Sequence, residues 1–452
     1  MARPVKKVKF QECLEILHQE FKKINDPRAY SHISMNDILM SSFAIFNLKY
    51  PSLLKFEEST KLTPKKENLR SVFGIESIPS DTQLRDVIDL IQWSEFRPIF
   101  KKLFSVAQRS KLLEKYEFMR FQNEPLYLWA CDGTGYFRSD KVGCSNCNNY
   151  DKGEKKKNKK YGHNILGTSL VHPDMKQVIT VCPEPIISTD GSNKNDCELN
   201  AFKRFIPKFR KEHPKIGAIF CLDALYASEP AIKLLFENDC HFITAVKETQ
   251  SALFRQVNEG DTKEHEYTYE IGDKVKKQVI HRYRYAENFH LNQDPRSTRV
   301  NFLEFWEEIN WEGKRGPETK RVHFAWITDL PVNKDTIVKL VKGGRSRWKI
   351  ENETFNTLKN QGYNIEHNYG HGKENLSVNF ILMMFISFLI DQIQEASCLS
   401  FKKALDNAGA RYGLWEKMRV HFVSYIYDSI EAYIKHLSGD IKFIQKISLN
   451  SS

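Results

Sequence analysis

The hydrophobic pattern of residues 126–137, LYLWACDGTGYF, predicts a core strand that ends at an acid. Its opening run, LYLWAC, is apolar or aromatic and uncharged, which is typical of a short strand buried on both faces. Asp132 follows, and then the turn residues Gly133 and Gly135. An ionised carboxylate is rarely buried without a partner, so Asp132 is expected to cap a turn, pair with a cation or bind a metal.

The same arrangement recurs in residues 216–226, IGAIFCLDALY. An uncharged apolar run again ends at an acid, Asp223, and small and aromatic residues follow it. The pattern therefore predicts two core strands that each present one aspartate at their end.

A third acid lies in residues 347–359, RWKIENETFNTLK, which have helical spacing. Trp348, Phe355 and Leu358 share one face of this helix, and Glu351 falls within the same stripe. We expect the stripe to dock on the sheet and to carry Glu351 towards the two aspartates.

Two other glutamates compete with Glu351 for this role. Glu353 is rotated from it by about 200° on a helix, so only one of the two can face the aspartates. Because Glu353 lies on the side of Lys349, we expect it to face solvent and Glu351 to point inward. Glu366, in the following loop, is the remaining alternative.

Three carboxylates form a hard, all-oxygen ligand set that suits Mg²⁺ or Mn²⁺ better than zinc. Such a set can hold two ions about 3.5–4 Å apart, which stabilise the attacking and leaving oxygens of an in-line phosphoryl transfer. The sequence therefore favours metal-dependent phosphodiester chemistry. Carboxylate pairs also serve glycosidases, but a polysaccharide substrate gives no reason for a basic chain.

Composition and charge agree with a soluble protein that binds a polyanion. The chain has 452 residues, 41% hydrophobic and 28% charged, with 68 Lys and Arg against 57 Asp and Glu. The net charge of +11 favours nucleic acid as a partner, although a merely solvating surface is an alternative. The basic start lacks the apolar run of a secretory signal, and the longest apolar run, 380–390, is too short to span a bilayer. We therefore expect a cytoplasmic protein with reduced cysteines and no membrane partner.

A charge run at residues 152–160, KGEKKKNKK, predicts a loop tip that contacts DNA phosphates. The residues proposed for these contacts are Lys155, Lys156, Lys157, Lys159 and Lys160.

Cys144 and Cys147 form a CxxC pair, which supplies half of the ligands of a structural Zn²⁺ site. His163 or another nearby residue would have to complete that site. The alternative interpretation is two free thiols in a turn.

The element pattern predicts a mixed α/β (α+β) fold, in which helices flank the sheet. Residues 1–115 have helical spacing throughout, and could either bind DNA or support the rest of the protein. The following region predicts the order β, β, β, α, β, α, β, and a two-residue period at 260–330 predicts antiparallel strands. Helices are expected to return after 330 and to end the chain at 396–452.

These residues resemble bacterial insertion-sequence transposases of the DDE type, and in particular the group numbered four. The resemblance lies in DGT after the first strand, the aspartate of CLDALY, and the spacing Arg-x-x-x-Glu on a later helix. It implies an RNase H-like catalytic domain formed by 120–250 and 330–395, interrupted by the β insertion at 260–330. It also implies that Asp132, Asp223 and Glu351 bind two Mg²⁺ ions.

The resemblance further implies that Arg347 contacts the DNA backbone, but the signature around it differs here. The group has a tyrosine three residues before the arginine and a lysine seven after the glutamate; this chain has Gly344 and Leu358 there. Lys359, one residue further on, is the nearest basic candidate for DNA contact. A hairpin-forming step tied to this signature is therefore left open.

The implied function is transposition of a mobile element, by cleavage at its ends and strand transfer into target DNA. The implied partners are double-stranded DNA, namely inverted-repeat ends and target, and a second copy of the chain in a synaptic homodimer. Trp306, Trp311 and Trp326 could stack on a flipped base or simply pack in the sheet. The alternative functions are an RNase H-like nuclease or resolvase, and a DNA-binding protein derived from a transposase.

Overall fold

The structure, a computed structural model, describes residues 6–151, 159–187, 195–272, 276–314 and 316–441. Helices form both ends of the described chain, and strands dominate its middle. The helices that precede the first strand are α1 (Phe10–Phe21), α2 (Met35–Asn47), α3 (Leu53–Ser59), α4 (Thr63–Phe73), α5 (Asp81–Asp89) and α6 (Arg97–Arg109).

Local signals set the ends of several of these helices. Ser80 begins α5 as expected, because its hydroxyl accepts a hydrogen bond from the Gln83 amide at 3.3 Å. Ser34 caps α2 in the same way. At the end of α4, Gly74 adopts a left-handed backbone (φ 63°) that closes the last turn.

The strands and the helices between them contain the predicted order and add three short strands before the first of these helices. They are β1 (Glu117–Phe121), β2 (Glu124–Ser139), β3 (Asn148–Asp151), β4 (Lys159–His172), β5 (Met175–Thr180), β6 (Glu184–Ile186), α7 (Glu198–Glu212), β7 (Gly217–Leu222), α8 (Glu229–Glu237), β8 (His241–Ala245) and α9 (Ser251–Glu259). The region 260–330, predicted to be a β insertion, contains β9 (Lys263–Ile271), β10 (Lys277–His290), β11 (Arg299–Gly313) and β12 (Gly316–Thr328). The mixed α/β fold class is therefore confirmed.

One sheet joins these strands in the order β3-β4-β2-β7-β8-β12-β11-β10-β9. The strands β2, β7 and β8 are parallel, whereas β4 is antiparallel to β2. The insertion continues this sheet, because Trp326, Ile327 and Thr328 of β12 pair with β8. The long hairpins β9 to β12 therefore extend from the same sheet that carries the aspartates.

The remaining helices are α10 (Ile337–Arg345), a π-helical turn (Ile350–Phe355), α11 (Asn356–Asn360), α12 (Leu376–Ser397), α13 (Leu399–Ala408), α14 (Arg411–Ser424) and α15 (Ile430–Leu437). The central helix α12 packs against α1, α2, α5 and α6, and α14 packs against α4. Helices from both ends of the chain therefore share one core. By length and composition α12 could cross a membrane, but its most apolar window is wholly buried inside the protein.

Candidate active site

Asp132 and Asp223 reach the same edge of the sheet because of the parallel register of β2 and β7. These strands pair up to Ala130 and Cys221, and each aspartate lies two residues further along the chain. One expectation was wrong, since β2 does not end at Asp132. It continues to Ser139 and pairs with β4 on one side, so among the described residues only the side towards β7 is unpaired at Asp132.

The Asp132 carboxylate is largely buried, with its side chain 19% exposed. Its Oδ1 accepts a hydrogen bond from the Gly133 amide at 2.8 Å, and its Oδ2 accepts one from Arg347 at 2.9 Å. Burial raises the pKa of Asp132 to about 6; Arg347 opposes this shift, while Glu198 and Glu351 reinforce it. Asp132 therefore lies in a crowded group of negative charges that favours a cation.

Asp223 follows the last residue of β7 and begins a short 3₁₀ turn. Its Oδ1 accepts a hydrogen bond from the Leu225 amide at 2.9 Å. Turn capping, which the sequence suggested for Asp132, thus occurs at Asp223, but it occupies only part of the carboxylate. Its charge also acts on Arg347 and Glu198.

The helix that carries Glu351 is held on the sheet by tight packing. Phe355 lies over Gly167, which pairs directly opposite Asp132; a Cβ atom on Gly167 would come within 2.6 Å of the Phe355 ring. Beside it, the hydroxyls of Thr354 and Ser169 hydrogen-bond at 3.0 Å in the core. Glycine at 167 is therefore what lets the helix approach the strand beside Asp132.

Glu351 lies at the rim of this contact. Its carboxylate accepts a hydrogen bond from Arg347 at 2.7 Å, and its side chain is half exposed. The expected stripe was wrong at its first position, since Trp348 is 44% exposed whereas Phe355 and Leu358 are buried. The π-helical turn explains the difference. Its hydrogen bonds join residues five apart instead of four, so the side chains before Phe355 point in other directions than on a regular α-helix.

The two alternative glutamates have other partners. Glu353 interacts with the charges of Lys349 and Arg411. The expectation that Glu353 faces solvent and Glu351 points inward was wrong, since Glu351 is exposed and Glu353 is partly buried. Glu366 forms an ion pair with Lys359 at 2.8 Å. The geometry therefore places Glu351, and neither alternative, beside Arg347 and Asp132.

Arg347 lies between the acids. Its guanidinium donates to both Asp132 and Glu351. Burial disfavours its charge, but hydrogen bonding to Glu351 and the charges of Asp132 and Asp223 outweigh burial and raise the Arg347 pKa. One cation thus balances part of the negative charge of the site.

Glu198 is a fourth acid at this edge and was not among the predicted site residues. It lies in the first turn of α7, and its Oε1 accepts a hydrogen bond from the Tyr226 hydroxyl at 2.6 Å. Its Oε2 lies so close to Gly133 that a Cβ there would be 2.3 Å away. Burial raises its pKa, and the charge of Asp223 adds to the shift. The sequence signal for this residue was an acid in the first turn of the helix that covers the sheet.

The oxygen donors fit Mg²⁺ or Mn²⁺ in type, since Asp132, Asp223, Glu351 and Glu198 supply only carboxylates. They are not gathered into a closed ligand shell. Across the described ranges, the one group of potential ligands whose donor atoms all lie within 4.8 Å is a cysteine and histidine cluster elsewhere. Arg347 instead bridges two of the acids.

The cysteine and histidine cluster contains the predicted CxxC pair. Cys144 and Cys147 lie beside His163, as expected, and also beside His371, which was not among the predicted ligands. His371 belongs to the loop between α11 and α12, more than 200 residues from the cysteines.

The lysines predicted to contact DNA differ in where they lie. Lys155, Lys156 and Lys157 lie outside the described residues, as does the side chain of Lys159. Lys160 is exposed on β4. Lys359 is paired with Glu366, as noted above.

The three tryptophans of the insertion differ in exposure. Trp326 is buried and packs against α10, which agrees with sheet packing. Trp306 is partly exposed and stacks on His323, with ring centroids 5.1 Å apart. Trp311 is also partly exposed, and Lys277 lies over its ring. Two of the three therefore remain accessible on the insertion.

Comparison with known proteins identifies a family for this region. A family model described as a transposase DDE domain matches residues 140–389, which is more than half of the chain. The matched range includes Asp223, Glu351, Arg347 and the insertion, and begins shortly after Asp132. No curated protein matches the sequence.

Proposed function

Because the chain belongs to the family of transposases with a DDE domain, a family of DNA-recombining polynucleotidyl transferases that generally use divalent metal ions, we propose that it cleaves the ends of its own mobile element and joins them to target DNA. One observation carries the proposal. Asp132, Asp223 and Glu351 come from three distant parts of the sequence, and all three act on the guanidinium of Arg347.

In this proposal Asp132, Asp223 and Glu351 are the metal ligands. Two Mg²⁺ ions, when bound, would activate the attacking oxygen and stabilise the leaving oxygen of an in-line displacement. The three carboxylates lie at one edge of the sheet. The strand backbones and the close packing of the helix at Gly167 fix their positions. Arg347, which donates to Asp132 and Glu351, would bind a backbone phosphate of the DNA at the same edge.

The substrate is double-stranded DNA with the inverted-repeat ends of the element, held by two copies of the chain. The net charge of +11 supports a polyanionic partner. Trp306 and Trp311 are accessible for stacking on an unpaired base near the cleavage point. Lys160 and the neighbouring lysines would contact the DNA backbone, and the protein would act in the bacterial cytoplasm.

The test uses purified full-length protein and a labelled DNA fragment that contains the sequences flanking the gene. We expect Mg²⁺-dependent nicking at an end, and joining of the freed 3′ end to a supercoiled plasmid. Asp132→Asn, Asp223→Asn and Glu351→Gln should each abolish both products while DNA binding in a gel-shift assay stays near wild type.

Glu353→Gln is the matched control, since it removes a charge from the same helix turn and should retain most activity. Near wild-type cleavage by any of the three site variants would remove that residue from the site. Nicking without any joined product would instead favour a nuclease or resolvase.

A further inference from the structure

A second candidate metal site lies away from the acids, where two thiols and two imidazoles converge. The Sγ atoms of Cys144 and Cys147 are 3.8 Å apart. The Nε2 atom of His163 lies 3.4 Å from the first sulfur and 3.3 Å from the second, and the Nε2 atom of His371 lies 3.4 Å from Cys147 Sγ. All four donor atoms fall within 4.8 Å of one another.

These separations are close to those of a tetrahedral zinc site. Bonds of about 2.3 Å to sulfur and about 2.0–2.1 Å to nitrogen separate two sulfurs by about 3.8 Å, and a sulfur from a nitrogen by about 3.6 Å. A disulfide would need the sulfurs at about 2.05 Å, so the two cysteines are free thiols. The ligand set, two sulfurs and two nitrogens, is soft enough for zinc and unsuited to Mg²⁺.

Both histidines are buried and fixed in orientation. His163 is fully buried and stacks on Tyr136, and His371 is 6% exposed and packs on Phe137, with ring centroids 4.3 Å apart. Each ring has its Nδ1 atom buried, with no hydrogen-bond partner in the described parts of the chain. Their Nε2 atoms are therefore the polar atoms that face the sulfurs.

We propose that Cys144, Cys147, His163 and His371 bind one structural Zn²⁺ ion. Four protein ligands close the coordination shell, which is the arrangement of structural rather than catalytic zinc. The site is also separate from the acids. Along β4, His163 lies four residues from Gly167, the partner of Asp132, which places it roughly 13 Å away.

The ligands connect three segments that are distant in sequence. Cys144 and Cys147 follow β2, His163 lies on β4, and His371 lies in the loop that leads from the Glu351 helix to α12. Hydrogen bonds support the same junction, since Asn146 donates to the Glu374 carbonyl at 2.8 Å.

The helical part of the protein meets the junction through Asp89. Its carboxylate accepts hydrogen bonds from the backbone amides of residues 373–376, at 2.8–3.0 Å. Zinc would thus fix the loop that follows the Glu351 helix against both the sheet and α5.

The test is metal analysis of full-length protein purified without chelator. We expect about one zinc ion per chain in the wild type, and nearly none in Cys144→Ser, Cys147→Ser and His371→Gln. Matched controls are Cys197→Ser, an exposed cysteine, and His367→Gln, an exposed histidine in the same loop; both should keep their zinc.

A second measurement covers variants that fail to fold. Zinc-stripped wild-type protein should bind Co²⁺ with the visible absorption of tetrahedral thiolate coordination, and its thermal midpoint should rise when zinc returns. His371→Gln should weaken zinc binding at least about 100-fold in competition with a chelator dye. Wild-type protein that binds neither zinc nor cobalt, or His371→Gln with wild-type affinity, would overturn the proposal. Neither result depends on DNA, so the site is tested separately from transposase activity.

Discussion

Arg347 links the acids of the candidate active site through contacts with individual side chains. Its guanidinium donates to Asp132 and Glu351 and responds to the charge of Asp223. Arg347 does not balance all of the negative charge. The pKa of Asp132 is still raised to about 6, and burial is the largest cause. The ionised carboxylates are destabilised at this site, and a bound divalent cation would stabilise them.

The raised pKa of Asp132 has a measurable effect on stability. Because the folded protein binds this proton more tightly than the unfolded chain, the free energy of unfolding falls as the pH rises from about 4 to about 6, and stays lowered above that range. Without Mg²⁺, we expect Asp132→Asn to raise the free energy of unfolding by on the order of 1–3 kcal/mol at pH 8 and to change little near pH 4.

Urea unfolding of both proteins at the two pH values checks this expectation. Chelator is omitted so that other bound metals stay in place. If Asp132→Asn proves less stable than the wild type at pH 8, the ion pair with Arg347 outweighs the burial of the carboxylate.

Glu198 adds a prediction about metal use. Its carboxylate lies against Gly133 and raises the pKa of Asp132, so it belongs to the same charged group. We expect Glu198→Gln to lower the cleavage rate by about 10–100-fold and to raise the Mg²⁺ concentration needed for half-maximal rate. Lys203→Gln, an exposed change on the same helix, should leave both unchanged. If the Mg²⁺ dependence of Glu198→Gln is unaltered, the role of Glu198 is limited to its hydrogen bond with Tyr226.

The helix that carries Glu351 depends on its contact with β4. Phe355 fills the space above Gly167, and Thr354 bonds to Ser169 beside it. The position of Glu351 relative to Asp132 is therefore set by how closely the helix can approach the strand.

Gly167→Ala should move this helix outward, because the new Cβ would lie 2.6 Å from the Phe355 ring. We expect cleavage to fall by at least about 10-fold with the fold retained, since small misplacements of reacting groups are costly. Adding Phe355→Leu to Gly167→Ala should restore part of the rate. Circular dichroism and cleavage assays of both single variants and the double variant provide the comparison. A double variant no faster than Gly167→Ala alone would contradict the packing argument.

The two ends of the chain form a common core around α12. A buried ion pair between Lys49 and Asp391 lies inside it, and the Tyr363 hydroxyl donates to the same carboxylate at 2.6 Å. Lys49 also lies 4.0 Å from the centre of the Trp415 ring. These contacts join the segment after α2 to α12, to α14 and to the loop that precedes α12.

Removing one partner of this pair should destabilise the protein strongly. Lys49→Met leaves the Asp391 carboxylate buried without its cation, which costs about 3–5 kcal/mol. We expect Lys49→Met to lower the midpoint of chemical unfolding in a single transition, and Lys49→Met with Asp391→Asn to recover much of the loss. A separate transition for residues 1–115, unaffected by the substitution, would show that the N-terminal helices fold independently.

The sequence by itself determined the structural features that depend on residues close together in the chain. Runs such as LYLWAC and AIFCL specify buried strands because every position is apolar, and the acids that follow them are placed by chain order alone. The period of two in the insertion and the serine before α5 are likewise local signals. These signals were enough to predict the mixed α/β fold, and the motifs DGT, CLDALY and Arg-x-x-x-Glu carried the resemblance to the family.

Only the tertiary structure decided which distant residues meet. Glu198 joins the acids because α7 crosses the sheet beside Gly133, and His371 reaches the cysteines because a loop returns to β4. The π-helical turn that leaves Trp348 exposed, and the pairing of β12 with β8, also have no local signal. In each case the decisive energy comes from packing between segments far apart in sequence, and local hydrophobic periodicity does not record it.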